Sequence, residues 1–186
     1  MFVSGAGLLG AAFGSKILAM LENPWQASLE GKTIVGGLLG GLIAVEAAKK
    51  YIGVTRSTGD LLVMPLIIGT AIGRIGCYLS GLADGTHGAP TSLPWGHDYG
   101  DEIPRHPVQL YEIIFLFMLG ALLRSVRKYL REEGDEFKLY LSAYLAFRFF
   151  VDFLKPGLPF LGLTAIQWAC VCGLLYYRRW ILSHVH

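Results

Sequence analysis

Residues 60–82 read DLLVMPLIIGTAIGRIGCYLSGL, an apolar run of helical length with one arginine, Arg74, deep inside it. About 20 residues of helix cross a hydrocarbon core of about 30 Å, so the run predicts a membrane-spanning helix. A guanidinium cannot shed its proton and is costly in hydrocarbon. Its presence there predicts a polar pocket and an anion to meet it. The pattern recurs at Arg148, inside the apolar segment 137–155. In a membrane the abundant anion is a lipid phosphate.

Working outward, the whole chain has the same character. Of 186 residues, 53% are hydrophobic and 16% charged, too apolar for an ordinary soluble domain. Segments 2–20, 33–50, 60–82, 107–130, 137–155 and 160–182 are each of spanning length. The expected fold is therefore an all-α integral membrane protein. It is a bundle of about six transmembrane helices in a single domain over residues 1–186, with no internal repeat and no evident cleavable signal. The net charge of +2, with Lys and Arg at segment ends, excludes a nucleic-acid partner. Cys77, Cys170 and Cys172 lie in apolar segments as small hydrophobes. Their spacing lacks the companions of a zinc site, so no metal and no cofactor are expected.

Positive charge sets the orientation. Lys49, Lys50 and Arg56 follow the second segment, Arg124, Arg127, Lys128, Arg131 and Lys138 the fourth, and Arg178 and Arg179 lie near the end. Lys32, Arg105 and Lys155 are all that fall on the other side. Positive residues gather inside, which places both termini in the cytoplasm and loops 22–32, 83–106 and 156–159 outside. The longest loop, 83–106, carries His87, His97, Asp98, Asp101 and Glu102 and suits a cover over a site.

Helical rise then gives depth. Arg74 lies 14 residues past Asp60, roughly 21 Å across from the cytoplasmic side. Arg148 lies about 15 Å in, and Tyr144, Arg148 and Asp152 form one stripe at four-residue spacing. Glu112, about 7 Å beneath the outer surface, reaches the level of Asp152. Four ionisable groups are thus expected at one level, either as a site or as neutralising pairs. Lys16 is expected to snorkel, Glu46 to pair near Lys49, and Asp60 to cap or begin its own helix. The pairs Gly36–Gly40, Gly37–Gly41 and Gly69–Gly73 predict close helix packing. Gly36 and Gly37 would also let backbone approach a ligand.

Three blocks carry a resemblance to a known family: 73–81 (GRIGCYLSG), 105–112 (RHPVQLYE) and 144–153 (YLAFRFFVDF). In order and topology they resemble successive blocks of the prolipoprotein diacylglyceryl transferases. Residues 163–167 (LTAIQ) resemble the start of that family's last helix. The resemblance implies transfer of diacylglycerol from phosphatidylglycerol to the cysteine thiol in the signal peptide of a lipoprotein precursor. The place would be the outer side of the bacterial cytoplasmic membrane, among membrane lipids. It implies that Arg74 and Arg148 hold the phosphate with Tyr144 nearby, and that Arg105 and His106 stand at the outer mouth. Further substrate contacts are implied for Gly36, Gly37, Gly73 and Gly76, and for Gln109, Tyr111, Glu112 and Asp152.

The chain departs from the family pattern at Val35, where a His is usual, at Cys77 and Ser80 for Asn, at Leu82 for Glu, and at Asp152 for Glu. The family's first helix also has no counterpart ahead of segment 2–20. With no His at residue 35, His106 and His87 are the candidate bases for the acceptor thiol, and His106 is preferred because Glu112, about one turn below it, would orient it. The departures leave two other readings open. One is a phospholipid-binding or altered-acceptor member, and the other is a transporter, for which duplicated halves are missing.

Overall fold

A computed structural model of the chain describes residues 2–22, 31–130, 132–156 and 161–185. Met1, Arg131, His186 and the connections at 23–30 and 157–160 lie outside these described residues. Six helices follow the six segments in order: α1 (Phe2–Glu22), α2 (Ile34–Ile52), α3 (Asp60–Leu79), α4 (Val108–Val126), α5 (Asp135–Val151) and α6 (Ala165–Val185). Among the described residues, three stretches are long and apolar enough to cross a membrane by length and composition: Phe2–Glu22, Asp60–Leu79 and Val108–Tyr129. The other three helices carry more polarity than the segment lengths suggest. α2 includes Glu46, Lys49 and Lys50, α5 has 17 residues with four charged side chains in its sequence, and α6 contains Arg178 and Arg179.

The chain divides into two compact units. The first comprises Met1–Ser57, Tyr144–Phe149 and Gly157–His186. Here α1 and α2 meet through glycine. A Cβ on Gly14 would run into Gly36 O, and one on Gly40 into Gly10 O, so only glycine permits this approach. A Cβ on Gly37 would meet Ala11 O and Ser15 Cβ at ordinary contact distances of 3.6 and 3.7 Å. Gly36 thus takes part in the close α1–α2 approach, while Gly37 lies beside it with room for ordinary contacts. Thr33 starts α2 by accepting from Gly36 N at 3.2 Å, and its own N–H donates to Ser15 O at 3.1 Å. Gly53, at φ 72°, stops it in the left-handed conformation. Glu46 pairs with Lys49 at 3.1 Å, as expected.

The start of α6 is a reciprocal cap. Thr164 Oγ1 accepts from Gln167 N at 3.1 Å, and Gln167 Oε1 accepts from Thr164 N at 2.9 Å. Gln167 Nε2 also donates to Phe149 O at 3.1 Å, satisfying a carbonyl near the end of α5. Glu22 Oε2 accepts from Ile166 N at 3.1 Å, so α1 helps to cap α6.

The second unit comprises Thr58–Ala143 and Phe150–Pro156. α3 packs on α4, with Ile67 against Gly120. Val63, Ile67, Ala71 and Arg74 form the buried face of α3, so Gly69 and Gly73 fall on the other side. A Cβ on Gly69, Gly73 or Gly76 would meet nothing within 4 Å among the described residues, so the expected Gly69–Gly73 packing seam is not made there. Asp60 is a capping carboxylate, but of a different helix. Its oxygens accept from Gly134 N at 2.7 Å and Phe137 N at 2.9 Å, at the start of α5, while Gly59 stands at the N-cap of α3. A carboxylate there meets orphan N–H groups and the positive end of the helix dipole.

α3 ends at Leu79, short of the expected residue 82, and a 3₁₀ turn (Gly81–Asp84) follows. The long connection forms a small clip around a two-stranded sheet. β1 (His97–Asp98) pairs antiparallel with β2 (Pro104–Arg105). On the other edge of β2, Pro90 bridges Arg105, Thr91 N donates to Pro104 O, and His106 N donates to Ala89 O. Asp98 Oδ1 accepts from the N–H groups of Gly100, Asp101 and Glu102 at 2.8, 3.1 and 3.0 Å, which folds the turn between the strands. Ala89 N donates to Leu154 O at 2.7 Å, fastening the clip to the 3₁₀ turn Asp152–Leu154.

Candidate active site

The buried face of α3 carries Arg74, 6% exposed, toward α4, whose second turn carries Glu112, 0% exposed. Arg74 Nε lies 2.9 Å from Glu112 Oε2. A guanidinium and a carboxylate buried together offset each other's desolvation, and removing either strands the other. The carboxylate meets the Nε edge of the fork, and Nη1 lies 3.9 Å from Cys77 Sγ one turn on. Gly73 and Gly76 flank this arginine on exposed backbone.

At the head of α4 the arrangement differs from expectation. His106 Nδ1 lies 3.3 Å from Tyr111 Oη, and Trp95 Nε1 donates to the same oxygen at 2.9 Å. The imidazole turns to Tyr111, while Glu112 meets Arg74. Arg105 is also engaged within the loop. Its Nη1 and Nη2 meet the two oxygens of Asp101 at 2.6 and 2.7 Å, and Nη1 donates to Ile103 O. That bidentate contact holds the Asp101 carboxyl below its ordinary range and pushes the Arg105 guanidinium up. Its planar fork thus braces the turn after β1.

Gln109, 1% exposed, ties the clip to α4. It accepts from Tyr99 Oη at 2.9 Å and donates to Thr86 Oγ1 at 3.3 Å, and Thr86 donates to Asp84 Oδ2. Burial pushes the Tyr99 phenol up from its usual value. Tyr78 Oη lies 3.3 Å from His97 Nδ1, and the ring of His97 sits edge-on to Tyr99. In the first unit, Tyr144 and Arg148 are both buried one turn apart on α5. In the second, buried Asp152 opens the 3₁₀ turn that the clip grips.

The model of the prolipoprotein diacylglyceryl transferase family matches residues 1–181. The chain belongs to that family. Relatives named phosphatidylglycerol–prolipoprotein diacylglyceryl transferase show the same likeness. The protein from Dehalococcoides mccartyi is 36% identical over 154 residues, covering 78% of this chain and 57% of that protein. The protein from Clostridioides difficile is 32% identical, covering 84% of this chain and 61% of that one. For Bordetella parapertussis the identity is 34%, with 86% and 63% covered. The chain thus spans about three-fifths of the length of these relatives.

Within this member of the family, sequence reasoning overlooked Trp95, Asp84, Thr86 and Tyr99. Trp95, Thr86 and Tyr99 act through partners distant in sequence, and Asp84 is drawn in through Thr86 two residues on. The faint signals were Pro94-Trp95-Gly96, an aromatic donor fixed at a turn, and Asp84-Gly85-Thr86, a polar turn just after the arginine helix.

Proposed function

We propose that this chain transfers a diacylglyceryl group from phosphatidylglycerol to the cysteine thiol in the signal peptide of a lipoprotein precursor. The observation that carries the reading is Arg74, buried between apolar helices and held by Glu112, in a chain of this family. The thiolate sulfur bonds to the glyceryl carbon of the diacylglyceryl group, and that carbon's bond to the phosphate oxygen breaks. Glycerol phosphate departs with the electron pair, and the thiol proton goes to solvent. Because negative charge grows on the leaving phosphate, positive charge fixed beforehand in a dry site is what accelerates the step. Arg74 is proposed for that task on account of its fork of donors. By the family resemblance Arg148, with Tyr144 one turn before it, is given the same task.

The acceptor thiol needs less help than a hydroxyl, since a few per cent is already ionised near pH 7. The proposed location is the bacterial cytoplasmic membrane, with both termini inside and the clip of residues 81–106 on the outer side, as the charge asymmetry supports. The family match runs through both units, which supports one functional domain. The test is incubation with phosphatidylglycerol and a peptide bearing the acceptor cysteine: a diacylglyceryl increment on the peptide supports the reading, and an unchanged mass rejects it.

A further inference from the structure

We propose that Trp95 and Tyr111 are positioning residues that fix the tautomer of His106, so that its neutral ring presents an Nε2–H donor to an anionic phosphate oxygen of the lipid. The choice of ligand rests on the transferase reading, whereas the tautomer rests on geometry alone.

An indole nitrogen can only donate. With Trp95 Nε1 at 2.9 Å, the Tyr111 oxygen is the acceptor of that contact. The phenol has one proton of its own, and its other neighbour is His106 Nδ1 at 3.3 Å. The arrangement that gives both protons a partner has Tyr111 donating to Nδ1. A phenol accepting from both sides would leave its own proton with no partner among the described residues. An Nδ1 that accepts carries no hydrogen, and a neutral imidazole must then carry it on Nε2.

The three side chains are held for this relay. Tyr111 projects from the first turns of α4, just after Pro107. His106 is locked by backbone on both sides, donating to Ala89 O at 3.1 Å and accepting from Gly88 N at 2.9 Å. A Cβ on Gly88 would come within 2.5 Å of His106 Cβ, so glycine is required for this approach. The nearest acid on α4, Glu112, is engaged by Arg74.

The chemical consequence is a change of role. With Nδ1 occupied and Nε2 protonated, the neutral ring has no open lone pair with which to take the proton of a thiol. It has one N–H, suited to an oxygen whose negative charge grows as the phosphate leaves. His106 would then be a catalytic donor to the leaving group and not the base of the reaction.

Ring nitrogen-15 shifts decide the tautomer, read on the full chain in nanodiscs at alkaline pH, with His106 assigned by its loss in His106→Gln. The expected result is the Nε2–H form in the wild type and a mixture of forms in Tyr111→Phe and in Trp95→Phe. An Nδ1–H form in the wild type, or a tautomer unmoved by Tyr111→Phe, overturns the proposal. The functional arm compares two substitutions. His106→Gln keeps an amide donor and should stay within about tenfold of wild-type turnover, while His106→Leu should lose about 10²-fold or more. A base would make Gln as inactive as Leu, and that equality also overturns the donor role. If the wild type transfers nothing from phosphatidylglycerol, the transferase reading falls by itself, and the nitrogen shifts still decide the tautomer.

Discussion

Replacing Arg74 by Met takes from Glu112, buried at 0% exposure near the N-terminal end of α4, the guanidinium it meets. Breaking a buried pair in this way costs about 3–5 kcal/mol, because one uncompensated charge remains. For a chain of this size that corresponds to a fall in Tm of roughly 6–20 °C. Adding Glu112→Leu removes the stranded charge. Apolar replacement of a whole buried pair is often neutral or stabilising, so the double variant should recover most of the loss. The two losses should therefore be strongly non-additive, the double variant losing much less stability than the sum of Arg74→Met and Glu112→Leu alone. Turnover should behave differently. Loss of a preorganised donor to the leaving phosphate lowers the rate by about 10²–10³, and restoring stability does not restore the donor. The assay is therefore paired: thermal unfolding in detergent micelles, and transfer from phosphatidylglycerol to a cysteine peptide. A double variant that is stable and as active as wild type would reduce the pair to a helix clamp and refute the phosphate role. If Arg74→Met alone melts like wild type, the buried pair itself is refuted.

In a background lacking Cys77, Cys170 and Cys172, single cysteines placed within residues 83–106 should react with an impermeant reagent from outside, and cysteines near Arg127 or Arg178 should not. The reverse sidedness would overturn the orientation and the outer site together. The clip should also respond to acid. Arg105 holds Asp101 below its ordinary value of 3.8, so the pair supports the loop above that value and its support is lost as pH falls through the lowered one. Amide exchange over residues 98–105, corrected for intrinsic rates, should rise across that acidic window in wild type. In Asp101→Asn it should already be raised at neutral pH, and identical profiles would remove the pair's role.

The helices were legible because apolar length and bounding polar turns are local properties, and all six appear in their expected order. What remained hidden depends on which distant element comes near. Asp60 was readable as a capping carboxylate, yet the N–H groups it accepts lie 74 and 77 residues later, at the start of α5. Four-residue glycine spacing could not tell a made contact from an open face: Gly36 and Gly40 press on α1, whereas Gly69 and Gly73 lie on the side of α3 away from its buried face. Arg74 stood out because its charge is so costly in an apolar run, and helical rise brought Glu112, 38 positions away, to the same level, but the sequence did not say which of the groups there would pair. Arg105 and His106 were read as free groups at a mouth. Asp101 and Tyr111, each a few residues away, claim them through turns whose shape the sequence did not specify.

The proposed reaction makes a thioether between a lipid glyceryl carbon and a peptide cysteine. The most direct measurement is the mass of a signal-peptide substrate after incubation with the protein in vesicles of phosphatidylglycerol, beside a cysteine-to-serine peptide and vesicles of phosphatidylcholine. The account predicts a diacylglyceryl increment on the cysteine peptide with phosphatidylglycerol alone, together with release of glycerol phosphate. A cysteine peptide of unchanged mass, with folded protein and phosphatidylglycerol both present, would contradict it.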